Sequence, residues 1–144
     1  MALWKLHYHL VWATKNRQPL ITPTREPELY RYLQQKTNAL NCICHAVGGM
    51  ADHIHLIVSI PPTLAISDYV SRVKGGSSHF ITHSLPPETL AFAWQLEYSV
   101  FSMGESQSPT AISYVQNQKH HHESGSLIRA LEIHLPPKTF PPNS

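Results

Sequence analysis

Residues 53–60, His-Ile-His-Leu-Ile-Val-Ser-Ile, constrain this chain more than any other stretch. Side chains along a strand alternate between two faces. As a strand, the segment sends Ile54, Leu56, Val58 and Ile60 to one face, a floor for covering helices. It sends His53 and His55 to the other, about 7 Å apart at Cα. Pro61 and Pro62 end the strand. Such a histidine pair is either a satisfied structural feature or the holder of a metal ion. The spacing alone leaves both open.

The rest of the chain falls into elements around this strand. "WKLHYHLVWAT" alternates, with Leu6, Tyr8, Leu10 and Trp12 on one face and Lys5, His7 and His9 on the other, a half-buried strand. Leu29, Leu33 and Leu40 recur at helical spacing and predict a helix over roughly residues 26–40. "CICHAVGG" reads as a strand, "GGMAD" as a turn, and the two strands around it as a hairpin. A second helix spans roughly residues 65–83, and its "KGGSS" reads as an interruption because each interior glycine costs about 1 kcal/mol. "FAWQLEYSVFSM" is a fourth extended segment, with room for a bend. Ser108 and Pro109 are the N-cap and first residue of a third helix. The order β-α-β-β-α-β is the split pattern of an α+β, ferredoxin-like antiparallel sheet with helices on one face. A C-terminal helix bearing a tyrosine follows it.

The 144 residues suit one domain with a real core, and no apolar run reaches the length of a membrane span. The first residues lack a signal peptide's pattern, so the expected location is cytoplasmic. A net charge of +2 permits nucleic-acid binding without demanding it. Cys42 and Cys44 share a strand face too far apart to bridge, and read as reduced thiols.

The third helix bears on the histidine pair. Tyr114 and Gln118 are four residues apart and share a helix face. Tyrosine can serve as a covalent nucleophile, but its ordinary pKa near 10 means that it needs help. Gln118 offers a neutral oxygen as third ligand. Two imidazoles and an amide leave a divalent ion's charge unneutralised, which suits an anionic phosphodiester. Imidazoles favour Mn²⁺ over Mg²⁺, and either is expected. Asp52 is a turn residue or a carboxylate that orients an imidazole.

"YHLVWATKNRQPLIT", "GGMADHIHLIVSIPP", "VKGGSS", "FAWQ" and "YVQNQKHHH" occur in this order over about residues 4–122. Together they resemble the HUH single-tyrosine transposases of small bacterial insertion sequences, the insertion-sequence-200-like family. The resemblance implies His53 and His55 as metal ligands, Gln118 as the third, and Tyr114 as the nucleophile, all four catalytic. It implies metal-dependent transesterification on single-stranded DNA through a 5′-phosphotyrosine, without ATP. It also implies hairpins at the element ends as DNA partners, and a homodimer. The transposase domain is then residues 1–124, and residues 125–144 form an atypical, loose tail.

Lys15, Arg17, Arg72 and Lys74 are candidate phosphate contacts, or simply solvated charges. Trp12, Trp94 and Phe101 either stack on bases or fill the core. Two other readings stand beside the enzyme. One is an inactive or domesticated copy that holds element-end DNA without turnover, a reading the altered tail invites. The other is a ferredoxin-like phosphodiesterase or RNA-binding domain, which gives no role to a Tyr114–Gln118 pairing.

Overall fold

A computed structural model of the protein describes residues 3–118. It contains β1 (His7–Ala13), α1 (Arg25–Ala39), β2 (Ile43–Met50), β3 (His53–Ser59), α2 (Ile66–Ser84), β4 (Ser99–Met103) and α3 (Ser108–Gln116). The sheet order is β2-β3-β1-β4, antiparallel throughout. β1 and β2 therefore leave a slot that β3 fills, and β3 and β4 leave one that β1 fills. This is the ferredoxin-like arrangement expected from the order of elements. The predicted tail, residues 125–144, and His121 and His122 lie outside the described residues.

Both faces of β3 are covered, and all seven of its residues are buried. On one face Ile54, Leu56 and Val58 join Leu10 and Trp12 under Leu29, Leu33, Tyr69, Val70 and Val73 of α1 and α2. Full burial of each such aliphatic side chain contributes about 1.5–3 kcal/mol. A buried hydrogen bond of 2.7 Å between the Thr37 and Tyr69 hydroxyls ties the two helices together. On the other face a smaller cluster, Ala46, Ile57, Ala111 and Val115, seats α3.

Several expectations need correcting. α2 runs through "KGGSS" without a break. Gly76 is there for close approach, since a Cβ would stand 2.1 Å from the Tyr32 hydroxyl of α1. Gly75 faces open space. Gly75→Ala is therefore expected to stabilise the protein by about 0.5–1 kcal/mol through helix propensity and the unfolded-state entropy, read by urea unfolding. "GGM" is not a turn either. Gly48 and Gly49 lie within β2, and the hairpin turns at Ala51–Asp52. Gly48 allows α3 to descend, because a Cβ would meet the Val115 carbonyl oxygen at 1.9 Å.

His9 is not on a solvated face, since it is fully buried, against His55 and Phe101. The fourth extended segment is bent. Trp94 makes an isolated bridge to Thr14, and regular pairing resumes only at Ser99. Ser108 is already helical and Gln107 is the N-cap, with its Oε1 accepting from the Gly104 amide at 2.9 Å. Cys42 and Cys44 are free, and burial pushes the Cys44 thiol up to about 11.

Candidate functional site

The covered face of β3 begins with two imidazoles. His53 and His55 are both 0% exposed, with ring centroids 5.1 Å apart and planes at 74°. Their shared face follows from strand alternation, and their mutual tilt from different partners. Asp52, at the hairpin turn, places Oδ1 2.7 Å from His53 Nδ1. Its other oxygen accepts from Arg17 Nη2 at 3.0 Å. His55 Nδ1 is held instead by His9 Nε2 of β1, at 2.8 Å.

The loop after β1 is built to deliver Arg17. Asn16 and Arg17 both adopt positive φ, 56° and 51°, in a short helical turn over Lys15–Arg17. Non-glycine residues occupy this region only when their surroundings compensate. Here the Arg17–Asp52 ion pair compensates, with side chains only 16% and 10% exposed. The Thr14 hydroxyl reaches the carbonyl oxygens of Gln18 and Asp52 at 2.5 and 3.2 Å, closing the loop onto the hairpin turn. Asp52 thus serves both alternatives left open by the sequence: it shapes the turn and orients an imidazole.

α3 brings the tyrosine. Tyr114 is 2% exposed, and its ring stands edge-on to His55 with centroids 6.3 Å apart. Gln118, also buried, lines a cavity of about 300 Å³ with Gly48 and Gly49 of β2 and with Glu26 and Tyr30 of α1. Gly48 is the strand partner of His55. The structure therefore brings His53, His55 and Tyr114 together, and places Gln118 in the lining of a cavity that Gly48, the strand neighbour of His55, also borders.

The basic candidates divide. Lys15 is exposed on the turn that carries Arg17, at the edge of the site. Arg72 is exposed on α2, across the sheet. Lys74, also on α2, donates to the carbonyl oxygens of Gln95 and Glu97 at 2.6 and 3.2 Å. Burial lowers its pKa. It staples the bend before β4 to the helix. Lys74→Ala is expected to cost about 1–2 kcal/mol of stability and to speed amide exchange over residues 95–98. Trp12 is core, and Trp94 packs edge-on against it, 5.9 Å between centroids. Phe101 lies 6.0 Å from the His9 ring.

His9 is the site residue that strand reading missed. Its signal was present in the shared face of His7 and His9 next to a strand with histidines on the same side, but strand order is needed to use it. The donor set suits a divalent cation. Both Nδ1 atoms are held from behind, so the Nε2 atoms would face a metal, with the Gln118 amide oxygen as a third donor. Among the described residues no three His, Cys, Asp or Glu side chains form a metal cluster.

The chain as a whole is similar to known proteins. The family model described as "Transposase IS200 like" matches residues 2–118. The ISDra2 transposase TnpA of Deinococcus radiodurans is 29% identical over 122 residues, covering 81% of this chain and 86% of that protein. The transposase for insertion sequence element IS200 of Salmonella typhimurium is 24% identical over 141 residues, covering 95% and 90%. A crystal structure of a candidate transposase from Deinococcus radiodurans R1 superposes with a TM-score of 0.65 at 26% identity, covering 81% and 93%. The structure of a REP-associated tyrosine transposase bound to a REP hairpin shares the fold, with a TM-score of 0.63 at 14% identity, covering 85% and 74%.

Proposed function

The chain belongs to the IS200-like transposase family, and from that premise we propose that it cuts and rejoins single-stranded DNA by metal-dependent transesterification at Tyr114. The observation that carries this reading is the Tyr114 ring held edge-on against His55, one of two buried imidazoles on the same sheet face. A phenol, two nitrogen ligands and a nearby amide oxygen are the parts such chemistry needs.

His53, His55 and Gln118 would hold Mn²⁺ or Mg²⁺. When bound, the ion supplies positive charge beside the scissile phosphate. The residues of the chain do the rest. Asp52 and His9 hold the two imidazoles. Tyr114 forms the new bond to phosphorus through its Oη. The bond from phosphorus to the 3′ oxygen breaks, the phenolic proton leaves to solvent, the departing 3′ oxygen takes a proton from solvent, and a 3′-OH and a 5′-phosphotyrosine result. One phosphodiester replaces another, so a later 3′-OH can reverse the step without ATP. Lys15, exposed at the edge of the site, is placed to meet the flanking backbone. Hairpins at the element ends as the DNA partner, and a homodimer as the working unit, belong to the same proposal. Among the described residues no helix is long and apolar enough to cross a membrane.

The test uses the full chain and labelled single strands from the element's own verified ends. With Mn²⁺ or Mg²⁺, a protein–DNA band that resists denaturant is expected, and a chelator should remove it. DNA retention with no covalent band under any metal would overturn the reading in favour of a copy that binds without turnover.

A further inference from the structure

We propose that His9 is a positioning residue that sets the tautomer of His55, so that His55 presents Nε2 to the cation. The inference rests on the metal site proposed above. Its geometric basis is a 2.8 Å contact between His9 Nε2 and His55 Nδ1, with both residues fully buried. In the register His9 pairs with Ile57 and Val11 with His55, so the two imidazoles are diagonal neighbours on one sheet face. The rings lie nearly parallel, 14° apart with centroids at 5.0 Å. Phe101 of β4 borders the His9 ring at 6.0 Å.

Two neutral imidazole nitrogens at this distance share one proton. If it sits on His55 Nδ1, His55 Nε2 carries a lone pair and can ligate. If it sits on His9 Nε2, neutral His55 carries its proton on Nε2 and cannot. The contact therefore couples the tautomer of His55, ligating or non-ligating, to that of His9. The two ligands are supported differently. His53 has a carboxylate behind it, itself paired with Arg17. A second carboxylate in place of His9 would bring another charge into a fully buried position. An imidazole accepts the same hydrogen bond without net charge.

The first readout needs no metal. Long-range ¹⁵N–¹H correlation spectra of the metal-free protein near neutral pH should show His55 as the Nδ1–H tautomer. His9→Phe should move His55 toward Nε2–H. His9→Gln, whose amide oxygen falls near the lost Nε2, should restore it. Mn²⁺ affinity should fall about 10–100-fold in the Phe variant and recover in the Gln variant. A purely structural role would lower the unfolding midpoint without moving the tautomer. An Nε2–H His55 in the unmodified protein, or unchanged Mn²⁺ affinity in His9→Phe, would overturn the proposal. A His9-dependent Nδ1–H tautomer in a protein that takes no Mn²⁺ would support the role of His9 and sink the metal reading instead.

Discussion

Tyr114→Phe is expected to abolish the covalent protein–DNA band, by about 10³-fold or more, while the protein stays folded and still binds metal and DNA. The change removes one oxygen. The ring keeps its edge-on contact with His55 and its place in α3. A loss of that size is about 4 kcal/mol of transition-state stabilisation. Circular dichroism, Mn²⁺ titration and oligonucleotide binding should be unchanged to within a factor of a few. Were the covalent band to survive, another of the six tyrosines would be the nucleophile. The placement of Tyr114 beside His55 would then be packing alone.

The second large effect is expected from a methyl group. Gly48→Ala puts a Cβ where the Val115 carbonyl oxygen lies 1.9 Å away and its carbonyl carbon 2.9 Å away. Both are backbone atoms, so no rotamer change relieves the clash. α3 must lift, and Tyr114 and Gln118 lift with it. Overpacking of this kind costs about 1–3 kcal/mol. The catalytic loss should be larger than the stability loss suggests, because a displacement of about 1 Å can cost 10²-fold. Urea unfolding should show the first, amide exchange across α3 should localise it, and the yield of covalent band should report the second. The contrast with Gly75→Ala is the control: the same substitution, with the opposite sign expected, where nothing stands in the way. An unchanged yield and stability in Gly48→Ala would mean that the seat of α3 on β2 is irrelevant to function.

Much of this was legible in residue patterns, and the failures share a cause. β3 was readable because Ile54, Leu56, Val58 and Ile60 keep one face wholly apolar, and because histidine breaks an otherwise apolar run on the other. α1 was readable from apolar spacing, and α3 from the Ser-Pro pair at its start. The glycines misled because a glycine kept for close approach and a glycine kept for a turn look alike in one dimension. Gly48 and Gly76 answer to Val115 and Tyr32, both distant in sequence. His9 misled for the related reason that a polar residue on a strand implies solvent until a covering helix is known. Arg17 was noted for its charge. Its positive φ and its pairing with Asp52 depend on how the loop closes over the hairpin, which charge cannot reveal. Lys74 similarly reads as a surface cation and turns out to hold a bend in place.

The complete burial of β3 on both faces ties quality control of folding to catalysis. A slip of one residue in its pairing would exchange its two sets of side chains. His53 and His55 would enter the apolar layer beneath α1 and α2, and Ile54 and Leu56 would face Tyr114. A one-residue slip therefore cannot keep a sound interior and lose only the imidazoles, or the reverse. Misregistered chains should be found among the aggregated or degraded fraction, not among stable, inert molecules. In a preparation of the unmodified protein, chains misregistered by one residue should therefore not appear as a folded but unreactive fraction.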